Sequence, residues 1–130
     1  MSLNLALVLE TKAASSPQLT AIISNGRGMT YAQLNEAANL CAAGLVRLGG
    51  HAGHKVAVML PNLPEFIIAY FGILKLGGCV VPINTMLKAA EIAYQLEDSD
   101  APALVVDEPL LSEAHQALSS VEACHHLIVL

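Results

Sequence analysis

Two glycine pairs, Gly49-Gly50 and Gly77-Gly78, are the residues here whose type and spacing most invite chemistry. Glycines beside a strand can bring backbone N–H groups up against a phosphate. That arrangement runs strand, glycines, helix, so that the anion meets the positive N-terminal end of the helix. In this sequence the order is reversed. Gly49-Gly50 follow a helically periodic stretch that ends at Leu48, and Gly77-Gly78 follow one that ends at Leu76. Both pairs therefore predict left-handed helix stops at the carbonyl end, which rejects a nucleotide cradle in "KLGGCVVPIN" and a dinucleotide motif in "GGHAG".

Metal, nucleophile and acid–base groups fare no better. His51 and His54 stand three apart in a predicted turn, and Cys124-His125-His126 adjoin a predicted strand, where Cys124 and His126 would share one side. No second pair at zinc spacing accompanies either group, so both read as polar rim residues. Ser24, Ser99 and Ser112 fall at turn or cap positions where the hydroxyl serves the backbone, and no GxSxG motif occurs. Glu97, Asp98 and Asp100 close a predicted helix and read as a solvated surface, without the burial that general acid work requires. Tyr70, Phe71 and Tyr94 read as core. The sequence thus offers no catalytic, no cofactor-binding and no metal-binding residue.

The elements that hold these residues alternate regularly. Leu3 to Ser16 predicts an amphipathic helix ended by Pro17, and "TAIISNGRGMT" a hairpin that turns on Asn25-Gly26. Thr30 and Gln33 have capping-box spacing and open a helix to Leu48. Its stripe Tyr31, Leu34, Ala38, Cys41, Leu45 and Leu48 is expected to pack against a sheet. "KVAVML" is apolar on both faces, as a central parallel strand would be. In "PNLPE", Asn62 is expected to cap a helix with Pro64 in its first turn and Glu65 at its third position. That helix is apolar nearly all round and should lie deep. Strands at "CVVPI", "ALVVD" and "HLIVL" then alternate with helices over about Lys88–Glu97 and Glu108–Val121. The order βαβαβαβ predicts an α/β fold whose mostly parallel sheet carries covering helices, preceded by the first helix and the short hairpin.

Composition narrows the function. The 130 residues suffice for one domain. They are 55% hydrophobic and 13% charged, with formal net charge −5 and scattered basic residues, so no nucleic-acid footprint is present. The longest strongly apolar run, Phe66 to Leu87, is broken by Lys75, Gly77, Gly78 and Pro82, which argues against a membrane span. Cys41, Cys79 and Cys124 read as reduced thiols in a cytoplasmic protein's core. No signal peptide is evident, and residues 1–3 are compatible with a vector-derived start. The chain ends at Leu130 within an apolar strand, which reads as a truncation, and mean hydropathy of +0.57 leaves more apolar surface than such a domain usually covers alone.

Three long stretches carry a resemblance. "MTYAQLNEAANLCAAGLVRLGG", "KVAVMLPNLPEFIIAYFGILKLGGCVVPIN" and "EIAYQLEDSDAPALVV" are similar, in order and spacing, to the opening of the AMP-forming acyl-CoA synthetases within the adenylate-forming superfamily. The resemblance implies that residues 1–130 form the N-terminal portion of the large domain of an enzyme that uses ATP, Mg2+ and coenzyme A. Such an enzyme activates a carboxylic acid, of fatty type, to an acyl-adenylate and then an acyl-CoA. The phosphate loop, the Mg2+-binding Glu, the ribose-binding Asp and the C-terminal Lys are implied beyond Leu130, so this stretch is expected to be structural and inactive alone. Its implied partners are the remainder of the enzyme and further copies of itself, through strand addition or swapping.

Asn84 resembles the acyl- and aryl-CoA synthetases, where amino-acid-adenylating relatives tend to carry Asp. Three positions depart from the family pattern: His54 where an Asp is usual, Lys88 in place of a Thr/Ser cap, and Asp100 in place of a Gly. A non-catalytic binding or oligomerisation module of the same architecture is the alternative, and an amino-acid-adenylating domain a further one.

Overall fold

The computed structural model describes residues 3–130, so Met1 and Ser2 of the expected start lie outside the described residues. It divides into two compact units, and the chain passes between them more than once. The first unit comprises the segment ending at Ala52 together with Leu63–Gly78; the second comprises Gly53–Asn62 and Cys79–Leu130.

The first unit holds α1 (Ala6–Ser15), the hairpin β1 (Thr20–Ser24) and β2 (Arg27–Thr30), α2 (Tyr31–Arg47) and α3 (Pro64–Leu76). Asn4 starts α1: its Oδ1 accepts from Ala6 N–H at 2.9 Å, and its Nδ2 donates to the Leu74 carbonyl of α3 at 2.6 Å. The stripe Ala6, Leu9 and Ala13 is buried, while Leu5, Leu7 and Val8 face outward. The amphipathic reading of this helix holds in its period but not in its apolar outer face. The hairpin turns on Asn25 (φ 50°) and Gly26 (φ 74°), two positive φ values that suit a two-residue antiparallel turn.

The Thr30 capping box of α2 is complete. Thr30 N–H donates to Gln33 Oε1 at 2.9 Å, and Gln33 N–H donates back to Thr30 Oγ1 at 3.2 Å. The expectation that α2 packs on a sheet is corrected, since its principal neighbour is α3. Periodicity shows that a face is buried and is silent on what covers it. At the crossing stand Ala38 and Cys41 of α2 and Gly72 of α3; a Cβ on Gly72 would meet Cys41 Sγ at 2.6 Å. The Lys75 ammonium, whose side chain is 7% exposed, is held to Glu10 of α1 at 2.8 Å.

Two expectations for α3 are also corrected. Asn62 does not cap it. Pro64 forces the residue before it into extended backbone, so Leu63 (φ −113°, ψ 160°) becomes the N-cap without a side-chain acceptor. Pro64 is then the first helical residue and Glu65 the second. Nor is the helix deep throughout: Ala69, Gly72 and Ile73 are buried, and its aromatic and remaining aliphatic side chains are half-covered.

The second unit is a four-stranded, wholly parallel sheet in the order β4-β3-β5-β6. Its strands are β3 (Lys55–Met59), β4 (Cys79–Pro82), β5 (Ala103–Val106) and β6 (His126–Val129). The central strands are buried on both faces, Val56 to Met59 and Ala103 to Val106, as their unbroken apolar runs require. On one face Ala57, Met59, Leu104 and Val106 meet Ile92 and Leu96 of α4 (Ala89–Ser99) and Ala114 and Ala117 of α5 (Leu111–Leu118). β4 lies at the edge with Cys79 and Pro82 exposed, and Pro82 is tolerated where no further strand needs its N–H. α5 is shorter than expected because Pro109 sits in a single 3₁₀ turn, Glu108–Leu110, that precedes it.

Candidate functional site

The glycine pairs resolve into two copies of one device. At the end of α2, Gly49 N–H donates to Val46 O at 3.0 Å and Gly50 N–H to Leu45 O at 2.8 Å. At the end of α3, Gly77 N–H donates to Leu74 O at 3.0 Å and Gly78 N–H to Ile73 O at 2.9 Å. Gly49 and Gly77 have φ of +89° and +83°. Each is a Schellman stop, in which the glycine N–H groups satisfy the last helical carbonyls. The N–H groups a phosphate would need are bound to helix carbonyls, so neither pair fits a nucleotide.

The remaining candidates are not brought together. His51 Nδ1 lies 2.9 Å from the Ala52 carbonyl. Cys124 packs against the core of the second unit, whereas His125 and His126 are exposed and give their N–H groups to the Pro102 carbonyl. β6 begins only at His126, so Cys124 and His126 do not share a strand face as expected. Among the described residues no group of three His, Cys, Asp or Glu converges to hold a metal ion.

Ser99 Oγ donates to Leu96 O at 3.3 Å, which accords with a backbone role. Glu97, Asp98 and Asp100 line the polar end of α4, and Glu97 and Asp100 are exposed, as a solvated run should be. Tyr94, read as core, is 71% exposed and is corrected; Tyr70 and Phe71 are half-buried, with ring centroids 5.7 Å apart. The thiols are unpaired, but only two lean inward. Burial pushes the pKa of Cys41 and Cys124 up, the latter opposed in part by a hydrogen bond to the His126 backbone. Cys79 is exposed at the sheet edge, so its reading as a core thiol is corrected.

Two features escaped the sequence reading. The first is a cap supplied from a distance. Lys88, the N-cap of α4, has no hydroxyl, and Glu113 Oε2 of α5 accepts the Ala89 N–H at 2.9 Å instead. Glu113 Oε1 also lies 3.7 Å from the Lys88 ammonium. The second is a cavity of about 760 Å³ in the first unit, walled by α1, the hairpin, α2 and α3. No periodicity announces it, because its walls come from several separate elements. No helix among the described residues is long and apolar enough to cross a membrane.

Asn84 Oδ1 accepts the Met86 N–H at 2.9 Å. An aspartate would make this bond equally well, so the local role of position 84 does not separate acyl-CoA synthetases from amino-acid-adenylating relatives.

Comparison with known proteins accords with this arrangement. The family of AMP-binding enzymes matches residues 9–130. The long-chain-fatty-acid–CoA ligase FadD13 of Mycobacterium tuberculosis is 41% identical over 108 residues, which cover 82% of this chain and 22% of that enzyme. Bacitracin synthase 3 of Bacillus licheniformis is 37% identical over 100 residues, 77% of this chain and 2% of that protein. Among solved structures, the anthranilate CoA ligase AuaEII in complex with anthranoyl-AMP superposes with a TM-score of 0.94 at 30% identity, over 98% of this chain and 25% of that one. The chain therefore spans about a fifth of the length of the curated ligase that it matches. The parallel sheet, its helices and a match that runs from Leu9 to Leu130 together place this chain in the AMP-binding enzyme family.

Proposed function

We propose that these residues build the opening of the large domain of an AMP-forming carboxylic acid–CoA ligase whose substrate is a fatty acid. In this reading the segment is scaffold: it contributes no reacting group, and ATP, Mg2+ and coenzyme A are engaged by the rest of the enzyme. The observation that carries the proposal is 41% identity to a long-chain-fatty-acid–CoA ligase over a stretch amounting to 22% of that ligase. The bacitracin synthase match supports an amino-acid-adenylating alternative, and Asn84 does not decide between them on structural grounds.

ATP–pyrophosphate exchange tests both parts. The purified 130-residue chain should give no exchange with dodecanoate, and exchange above the protein-free rate overturns the scaffold reading. In a longer protein that continues past Leu130, long-chain acids should drive exchange and the common amino acids should not; the reverse pattern establishes the alternative. The chain alone is also proposed to self-associate through outward residues such as Ile23, Leu40 and Val46, and a clean monomer in sedimentation at high concentration refutes that part.

A further inference from the structure

The cavity of the first unit has two chemically distinct sides. Leu9, Ile22, Leu34, Ile67 and Phe71 give it an apolar floor, and its volume of about 760 Å³ lies in the range of small-molecule pockets. Thr11, Lys12 and Ser15 border it from one side of α1, spaced so that they share a helical face. The Lys12 ammonium lies 5.7 Å from the centroid of the Tyr31 ring and has no carboxylate partner among the described residues. A cation held over an aromatic face at the lip of an apolar cavity is complementary to a ligand with an anionic head and an apolar tail. The tail removes apolar surface from water, and the head meets a positive charge that no carboxylate of the described residues neutralises.

The cavity also bears on the apolar outer face of α1. Leu7 and Val8 are 48% and 63% exposed, yet both border the cavity, so their outward position places them where a tail would cover them. A chain bound across Leu7 and Val8 would remove their apolar surface from water.

We propose that this cavity is a binding site for a monomeric long-chain carboxylate, with the tail over Ile22, Leu34, Ile67 and Phe71 and the carboxylate at Lys12. The inference stands on the chemistry of the cavity and does not depend on the ligase reading: the site can exist whether or not ATP-dependent exchange is found.

Titration calorimetry of the 130-residue chain with dodecanoate, kept below its micellar concentration, tests it. Saturable binding of one dodecanoate per chain is expected, with dodecyltrimethylammonium weaker by about fivefold or more. Lys12→Gln should weaken dodecanoate binding by about fivefold, the scale of a half-exposed charge pair, and Lys12→Arg should restore it. Val8→Asp, on an exposed position that folding tolerates, should weaken binding further by placing a charge beside the tail and repelling the carboxylate. Absence of saturable binding overturns the proposal. So does equal affinity for the two head groups, or indifference to Lys12→Gln, since each means non-specific apolar adsorption. Protein dimers that exclude dodecanoate in sedimentation would assign the cavity to a second copy of the chain and overturn it as well.

Discussion

Gly72→Ala should destabilise the protein, although helix propensity alone says the opposite. Gly72 lies in the interior of α3, where replacing glycine by alanine normally gains about 1 kcal/mol. At this position the new methyl carbon would stand 2.6 Å from Cys41 Sγ, 2.7 Å from Cys41 Cβ and 3.2 Å from the Ala38 carbonyl oxygen. Two of these lie well inside van der Waals contact, and Ala38 is fully buried, so α2 and α3 must separate or tilt. Overpacking of this kind costs about 1–3 kcal/mol and outweighs the propensity gain, for a net loss of about 1 kcal/mol or more. Urea unfolding followed by far-ultraviolet circular dichroism reads the sign directly from the midpoint. The cause is separable by a double-mutant cycle, because Cys41→Gly removes both offending atoms and should rescue Gly72→Ala with a coupling of about 1–2 kcal/mol. A higher midpoint for Gly72→Ala, or additivity of the two changes, would refute the account of this crossing.

Three further outcomes follow from single contacts. Glu113→Ala should cost about 1 kcal/mol by orphaning the Ala89 N–H, whereas Lys88→Thr, whose hydroxyl can accept the Ala90 or Glu91 N–H instead, should add stability to a similar extent with and without Glu113; urea midpoints of the four proteins measure both. Asp100→Gly should raise stability by about 0.5 kcal/mol, because relief of φ +55° at the end of α4 exceeds the extra chain entropy of glycine, and a lower midpoint would show that the aspartate makes a compensating contact. Cys41 and Cys124 have thiol pKa values raised by burial, so at pH 8 iodoacetamide should label Cys79 first by peptide mapping; the same shifts make stability fall as pH rises through and beyond the ordinary thiol value of 9.0, with no effect from these groups well below it.

Signals that act within one turn of chain were legible in the sequence. Asn25-Gly26, the Thr30–Gln33 box and both glycine stops depend on neighbours at most five residues away, and each forms as its residue types require. The parallel order of the sheet was legible too, because strands buried on both faces must be apolar throughout. What failed needed knowledge of the partner. The stripe on α2 did not say that α3 would cover it, and the apolar circumference of α3 did not say how far it would be covered. Asn62 failed for a local reason that outranked propensity: Pro64 moved the cap to Leu63. Tyr94 shows the limit of periodicity, for it keeps helical spacing yet stands outside the Ile92–Leu96 face that meets the sheet. The cavity was illegible because its walls converge from segments as far apart as Leu7 and Phe71.

In "KLGGCVVPIN" nearly every residue is committed to geometry. Lys75 is ion-paired to α1, Gly77 takes a φ that other residues resist, and Gly78 closes the helix onto Ile73. Cys79 and Val80 then pair with Lys55 and Val56, and Asn84 folds the exit back on Met86. A Cβ on Gly77 would in addition come within 3.1 Å of the Ala52 Cβ, so the stop is constrained by space as well as by φ. Most positions of this segment thus serve to end one helix and start one strand, while the Cys79 thiol stays exposed at the sheet edge. Glycine pairs therefore carry different information according to direction: before a helix they leave N–H groups for a ligand, and after one they give those groups to the helix itself. Exchanging Gly77 for a β-branched residue should accordingly damage folding, with no effect on nucleotide affinity beyond what the loss of folded protein explains.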